Sequence, residues 1–173
     1  MKKLVFLLFL LFLLLPLASF AKTDPDFAKP LELSGDFLSV NLNSKEGEYK
    51  GNFLAKQGSM KIEGNKIKIK QKQNKQLESI VASGQPVRFS KMNYQSNEMV
   101  NGSALKITYD ANKLLITLEG NAEILSGSGN SFRSHIITYG LTNGEIKAVG
   151  NSQRRVQIVI PPSGSRESTP LVK

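Results

Sequence analysis

Residues 104–127 constrain the fold of this 173-residue chain more than any other stretch. Apolar and polar side chains alternate there with a period of two, the pattern of half-buried β-strands. The interruptions, Asp110-Ala111-Asn112 and Gly120-Asn121, are rich in residues that adopt the positive φ of tight hairpins. The stretch therefore predicts three short strands of an antiparallel meander. The three alternating sets are Leu105, Ile107 and Tyr109, then Leu114, Ile116 and Leu118, then Ala122, Ile124 and Ser126.

The same unit of short strand, turn and short strand fills the chain on both sides of this meander. Turn residues recur about every eight to twelve positions, which is typical of an all-β sandwich, barrel or jelly roll. No amphipathic helix is evident after residue 21. The other predicted strands are 31–33, 37–43, 48–50, 52–57, 60–63, 66–70, 77–82, 87–91, 99–103, 132–140, 146–148 and 154–160.

Some of the turn residues recur at a separation of 69 positions, as from Gly51 to Gly120. Chance can produce such a match in a glycine-rich β chain, whereas a true repeat would mean two similar meanders stacked end to end. The matching sets are Gly51-Asn52 with Gly120-Asn121, Gly58-Ser59 with Gly127-Ser128, and Ile67 with Ile136.

The first 21 residues have the organisation of a secretory signal peptide. Lys2 and Lys3 precede an apolar run over 4–15, and Ser19-Phe20-Ala21 supplies the small residues that a signal peptidase reads. We therefore expect cleavage after Ala21 and export to the periplasm. A retained membrane anchor is the alternative, although the run is shorter than the ~20 apolar residues of a usual span. We expect a flexible leader over 22–30, one domain over 31–161 and a disordered tail over 162–173.

Without Lys2 and Lys3, the exported chain has 21 basic and 14 acidic residues, a net charge of +7. Export makes nucleic acid an unsuitable partner, so anionic glycolipids, membrane surfaces or acidic glycans fit this charge better. The chain has no cysteine, which excludes both disulfides and a lipid-modified N-terminal cysteine.

No catalytic or metal-binding constellation is recognisable. The single histidine, His135, has no partner residues at metal-ligand spacing. The serines occur in turns rather than at a strained nucleophile elbow. Paired carboxylates can still form a glycosidase site in space, but Asp110, one of few candidates, is better explained as a turn residue. We expect no enzymatic activity, metal or cofactor.

Lysines mark one face of a predicted strand pair. Lys66, Lys68 and Lys70 alternate with Ile67 and Ile69, so one face is aliphatic and the other basic. The basic face has three explanations: an ordinary solvated surface, a strip that steers an acidic ligand, or edge lysines that discourage aggregation.

Six short segments carry a resemblance to a known family when taken in order. They are Tyr49-Lys50-Gly51-Asn52, Gln57-Gly58-Ser59-Met60-Lys61-Ile62, Ser83-Gly84-Gln85-Pro86-Val87-Arg88-Phe89, Gly102-Ser103-Ala104, Ile107-Thr108-Tyr109-Asp110 and Leu118-Glu119-Gly120-Asn121-Ala122. Over 37–160 the chain resembles the OstA-like domain family of periplasmic lipopolysaccharide-transport proteins. It departs from the family pattern at Glu63-Gly64-Asn65-Lys66 and at Arg133-Ser134-His135, which we expect to be turns.

The resemblance implies an elongated, twisted β-jelly roll of short antiparallel strands, open at both ends. It also implies a bridge that carries lipopolysaccharide from the inner to the outer membrane, with the acyl chains in an apolar groove. Lys66, Lys68, Lys70 and Arg88 would form a head-group rim. The alternation alone does not distinguish an open groove from a closed core. The expected groove residues are Leu31, Leu33, Val40, Leu42, Phe53, Met60, Ile62, Ile67, Ile69, Phe89, Tyr109, Leu114, Ile116 and Leu118.

The terminal strands 31–33 and 156–160 would leave unpaired edges, which are templates for strand addition. We expect an inner-membrane-anchored partner at one edge, an outer-membrane partner at the other, and head-to-tail homo-oligomers. Two alternatives remain open: a periplasmic binding module for acidic polysaccharide, and the membrane-anchored component of the same bridge.

Overall fold

A computed structural model describes residues 24–162 of the chain. The predicted signal peptide, its cleavage site after Ala21 and all of the predicted tail except Pro162 lie outside these residues. The described part begins with a short 3-10 helix, Pro25–Ala28, and continues entirely as β-structure. The all-β prediction is therefore confirmed.

Within residues 24–162, ten strands form one antiparallel β-jelly roll whose sheet does not close on itself. The sheet order is β1-β3-β4-β5-β6-β7-β8-β10; β2 lies beside β1 on β3, and β9 lies beside β10 on β8. The strands are β1 (Glu32–Ser34), β2 (Phe37–Asn41), β3 (Glu46–Gln57), β4 (Met60–Gln71), β5 (Leu77–Asn93), β6 (Glu98–Asp110), β7 (Leu115–Leu125), β8 (Ser131–Gly140), β9 (Ile146–Val149) and β10 (Gln157–Val159).

Several predicted turns are β-bulges inside longer strands. The sequence predicts chain reversals at Gly51-Asn52, Gly64-Asn65, 83–86 and Gly120-Asn121, but each interrupts only the pairing register of a continuous strand. Gly51 and Gly120 have φ of 71° and 76°, and a bulge uses that left-handed conformation as readily as a hairpin does. The true reversals include the predicted one after Asp110.

The bulges lie side by side, and we call this line across the sheet the bulge belt. It continues through β6, between Ser103 and Lys106, and through β8, where His135 lies between residues paired with Ala122 and Glu119. The two segments that depart from the family pattern therefore lie in the belt rather than in turns. Because bulges bend strands and increase their twist, the belt divides the sheet into two halves. Half I ends on β1 and β10, and half II ends on β2 and β9.

The two halves fold onto each other and enclose the core. The ring of Phe89 in half I lies 6.2 Å from that of Tyr139 in half II. A Cβ atom at Gly102, in half I, would lie 2.8 Å from Cδ2 of Leu118, in half II. Side chains from both halves therefore interdigitate, and the apolar face of each strand is buried against the other half.

The 69-residue repeat is visible in the strand pairing. The pair Leu33–Ala55 corresponds to Gly102–Ile124, and the pair Leu38–Tyr49 to Ile107–Leu118. The short strands β1 and β2 together therefore pair with β3 in the same register in which the single strand β6 pairs with β7. On the next strand the equivalent residues are offset from the 69-residue separation by one position. Ile67 pairs with Tyr49, whereas the residue that pairs with Leu118 is Ile137 rather than Ile136.

Residues 24–30, the N-terminal segment, differ from the predicted flexible leader. Phe27 packs against the core, and Asp26 is only 2% exposed. Asp24 caps the 3-10 helix by accepting a hydrogen bond from the Asp26 amide. The prediction missed this because polar residues and Pro25 resemble a loop, and the partners of Asp26 lie more than 30 residues away.

Candidate functional site

The interior of the roll is the main apolar surface of the molecule. Ile67, Ile107, Ile116, Leu118 and Ile137 are completely buried, so the central part of the interior is closed in this conformation. These side chains alternate with outward-facing residues along each strand, and the parity changes where a bulge inserts one extra residue.

The fourteen predicted groove residues occupy three kinds of position. Eight are buried, four are partly buried against the core, and Val40 and Leu42 are mostly exposed. Leu114 is in the β6–β7 turn rather than on a strand. Contact with lipid stays a prediction for all fourteen. The buried eight are Phe53, Met60, Ile62, Ile67, Phe89, Tyr109, Ile116 and Leu118, and the partly buried four are Leu31, Leu33, Ile69 and Leu114.

The prediction omitted interior residues that the alternation identifies equally well. Some of them have the parity of a predicted neighbour on the same strand, as Val87 has with Phe89, Ile107 with Tyr109 and Ile124 with Leu118. Apart from alanines, the omitted hydrophobic residues that are 2% exposed or less are Ile80, Val87, Ile107, Ile124, Ile137 and Tyr139.

The interior face continues to both ends of the roll and is exposed there. At the β2 end, Leu38 and Val40 pair with Tyr49 and Gly47 on the inner face but are 48% and 54% exposed. At the β10 end, Ile158 pairs with Phe132, which packs against the core, and Ile158 is 55% exposed. Each end therefore presents inward-facing hydrocarbon beside a strand edge that has no neighbouring strand among residues 24–162.

The predicted rim residues do not form one rim. Lys66 and Lys68, in half II, both form ion pairs with Glu48, and Lys70 pairs with Glu78. Arg88 lies beyond the belt in half I, beside Glu63 on the neighbouring strand, and makes none of the ion pairs found among residues 24–162. Hydrogen bonds from Lys66 and then Lys50 lower the pKa of Glu48 to about 2. The three predicted rim lysines therefore share only two carboxylates, Glu48 and Glu78, so part of their charge is balanced within the sheet, and head-group binding by these residues stays a prediction.

A buried charged cluster lies where the N-terminal segment meets β5. Lys91 is 1% exposed, and its Nζ lies 2.6 Å from Oδ2 of Asp24 and 2.7 Å from Oδ2 of Asp26. The Ser59 amide and the Tyr94 hydroxyl donate to Oδ1 of Asp26 at 2.8 and 2.9 Å. The Ser59 hydroxyl donates to Oδ2.

Burial acts to raise the pKa of Asp26, but these donors outweigh it and lower the pKa below its ordinary value. Breaking a buried ion pair of this kind from one side costs about 3–5 kcal/mol. Sequence reasoning missed the cluster, although Lys91 has the inward parity of Val87 and Phe89 and thus carried a detectable signal.

Residues 24–162 contain no group of three or more His, Cys, Asp or Glu side chains arranged to hold a metal ion. Within the same residues there is no helix of the length and apolar character needed to cross a membrane. His135, in the bulge belt, is half-buried.

Sequence comparisons identify relatives over most of the chain. Residues 32–145 match the family described as LptA/(LptD N-terminal domain) LPS transport protein. The lipopolysaccharide export system protein LptA of Haemophilus influenzae is 31% identical over 148 residues, which cover 84% of each chain. The LptA of Escherichia coli K12 is 26% identical, with 85% of this chain and 78% of the relative covered.

A solved structure shares the fold. The crystal structure of LptH from Pseudomonas aeruginosa, described as the LptA-homologous periplasmic component of a lipopolysaccharide transport device, matches with a TM-score of 0.74. The match covers 80% of this chain and all of that chain, at 23% identity. Because the family match spans more than half of the chain, and the Haemophilus relative is 31% identical with 84% of its length covered, this chain belongs to the LptA/(LptD N-terminal domain) family.

Proposed function

We propose that this protein binds lipopolysaccharide in the periplasm and carries it from the inner membrane towards the outer membrane, without catalysing a reaction. The observation that carries the proposal is the interior face, which is apolar from β2 to β10 and exposed at both ends. The names of its relatives, lipopolysaccharide export system proteins, support the same function.

An apolar interior is what the transport of lipid through water requires. At ~0.8 kcal/mol per methylene, an acyl chain of about a dozen methylenes costs ~10 kcal/mol to expose. The central interior is closed in this structure, so an acyl chain enters only if the two halves separate. Bending at the bulge belt supplies that motion, because the bulges interrupt the hydrogen-bonded ladder along one line.

In vivo photocrosslinking tests the lipid site. A photoreactive residue at Ile69, Phe89 or Ile116 should form lipopolysaccharide adducts, because these side chains face the interior. The matched control is Lys68, whose side chain is 64% exposed on the outer face of the strand that carries Ile69. Adducts absent from all three interior positions, or equally frequent at Lys68, would contradict the proposal.

A competition experiment separates lipid carriage from polysaccharide binding. Purified protein with the photoreactive residue at Phe89 is incubated with lipopolysaccharide and an excess of the deacylated glycan. The proposal expects little competition, since the acyl chains supply the binding energy. Full competition by the deacylated glycan would favour a polysaccharide-binding module.

The exposed ends also fit a bridge built by strand addition, in which this chain binds copies of itself head to tail and membrane-bound partners at its outermost edges. Adding a strand beside β2 or β10 would pair free backbone groups and cover the exposed inward residues. Val159→Pro should therefore shorten the oligomers measured by light scattering, whereas Val159→Thr, which keeps the backbone donor, should not. Oligomers unchanged by the proline would argue against the β10 edge.

Export by a cleaved signal peptide is part of the proposal. N-terminal sequencing of the protein recovered from the periplasm should begin at Lys22. Recovery of the protein with residues 1–21 in the membrane fraction would instead favour a retained anchor.

A further inference from the structure

The Lys91 cluster divides cleanly between two parts of the molecule. The body of the roll supplies the donors: Nζ of Lys91, the amide and hydroxyl of Ser59, and the hydroxyl of Tyr94. The N-terminal segment supplies the acceptors, the carboxylates of Asp24 and Asp26. If the segment moved away, the donors would remain together and would lack an anion.

The donor set is suited to a compact oxyanion. An ammonium, two hydroxyls and a backbone amide converge on the Asp26 carboxylate, and such charge-assisted donors are those that bind phosphate oxygens strongly. The β3–β4 turn leaves room for it: a Cβ atom at Gly58, whose φ is 60°, would lie 2.1 Å from Oδ1 of Asp26. The turn thus forms a cradle that only glycine keeps open.

The cradle adjoins the apolar interior. Lys91 has the inward parity of Phe89, and Phe27 of the N-terminal segment covers its ammonium at 5.7 Å from the ring centroid while packing against the core. The charge of Asp24 adds to burial in raising the pKa of Tyr109 and Tyr139, two core residues of half II. The cluster therefore lies near both halves, next to hydrocarbon.

We propose that the Lys91 cluster is an anion-binding site, occupied in this structure by the chain's own Asp26 carboxylate, and that a phosphate group of the bound lipid displaces it. The inference rests on the proposed function, because it names a contact for the head group of the same lipid. A phosphate at Lys91 places the attached acyl chains against the interior that Phe27 otherwise covers. The N-terminal segment then competes with the lipid and lowers its apparent affinity.

The first test examines the anion site alone, using inorganic phosphate as the probe. Asp26→Ala removes the carboxylate on which all four donors converge and leaves space there for another anion, while Asp24 still pairs with Lys91. Its thermal unfolding midpoint should rise saturably with phosphate, relative to chloride at equal ionic strength. The variant D26A/K91M, which lacks the cation, should not respond. No rise in D26A, or an equal rise in both variants, overturns the anion site.

The second test asks whether the site binds the phosphate of the lipid. It measures the equilibrium affinity of the protein variants for intact and for enzymatically dephosphorylated lipopolysaccharide. D24N/D26N keeps the side-chain size and removes the competing charge, and Glu32→Gln removes an exposed carboxylate outside the cluster as a matched control. D24N/D26N should bind the intact lipid on the order of tenfold more tightly than wild type, the value of one charge-assisted hydrogen bond. The dephosphorylated lipid should show no gain, and adding Lys91→Met should abolish the gain for the intact lipid.

The outcomes separate the inference from the proposed function. Binding of lipopolysaccharide by wild type with no gain in D24N/D26N, or with equal gains for both lipids, overturns the lipid-phosphate contact alone. Rescue of D26A by inorganic phosphate together with equal lipid gains assigns the site to soluble phosphate instead. Failure of every variant to bind lipopolysaccharide overturns the proposed function, while the phosphate titration still reports on the anion site.

Discussion

The closure of the interior can be measured with a single added methyl group. Gly102 faces the interior, and a Cβ atom there would lie 2.8 Å from Cδ2 of Leu118 and 3.4 Å from Cδ1 of Phe89. Gly102 pairs with Ile124, six residues along β7 from Leu118. Six residues of flat strand span about 20 Å, so the contact exists only because the sheet folds over at the bulge belt.

The expected free energies follow from this contact. Gly102→Ala overpacks the interior, which typically lowers the free energy of unfolding by about 1–3 kcal/mol. The same change makes the unfolded chain less flexible, which raises that free energy by about 0.4–1 kcal/mol. Leu118→Ala alone should cost about 2–5 kcal/mol because it leaves a cavity. In the Leu118→Ala background the new methyl group has space, so Gly102→Ala should become neutral or stabilising. The coupling energy should favour the double variant by about 1–3 kcal/mol.

Urea unfolding of wild type, both single variants and the double variant gives the four free energies of unfolding that this double-mutant cycle requires. Gly47→Ala is the matched control, since a Cβ atom there would lie 3.9 Å from Cγ2 of Val40 and should cost little beyond ordinary scatter. Additive single effects would show that Gly102 and Leu118 are not in contact in solution. The interior would then be open along the belt without lipid, and the reasoning from closure to lipid-driven opening would fail.

Three further predictions concern individual residues. Gly120→Ala should destabilise the protein by about 1–2 kcal/mol because its φ is 76°, whereas Gly47→Ala should not; equal effects in urea unfolding would contradict the strained bulge. Ser134→Ala should be neutral or stabilise by about 1 kcal/mol, since the buried Ser134 hydroxyl has no hydrogen-bond partner among the described residues; a clear loss in the same assay would reveal a missed partner. Burial, with the charges of Asp24 and Asp110, raises the pKa of Tyr109 to about 12, so stability should be full below pH 10 and fall as pH rises towards 12. Tyr109→Phe should remove the absorbance change near pH 12 and flatten this loss, and an unchanged alkaline titration would refute the assignment.

Local pattern was sufficient to predict the fold class, because alternation with a period of two marks nearly every strand. It was insufficient for strand length. Gly120 and Gly144 both have positive φ, yet one is in a bulge and the other in the loop before β9. A bulge and a loop can be distinguished only by which strand pairs with the residues on either side. That pairing involves residues distant in sequence, so the local pattern does not contain it.

The candidate site shows the same limit. Alternation places Ile62 and Val40 on the inner face equally, but one is 1% exposed and the other 54%, because Val40 is on an end strand. Lys91 has the inward parity, but its polar character argues against burial. Its partner Asp26 is 65 residues away in sequence, so no local pattern could reveal the pair.

The 69-residue repeat makes the length of the molecule proportional to the number of its strands. Four inter-strand spacings of ~4.8 Å separate β3 from β7, so each repeat adds about 19 Å, and the eight-strand path spans about 34 Å between its ends. Because each strand pairs only with its neighbours, duplicating one 69-residue unit would lengthen the molecule without changing the existing strand pairs. The length of a single copy is thus set by strand count, and in the proposed head-to-tail assembly a longer distance calls for more copies rather than larger ones.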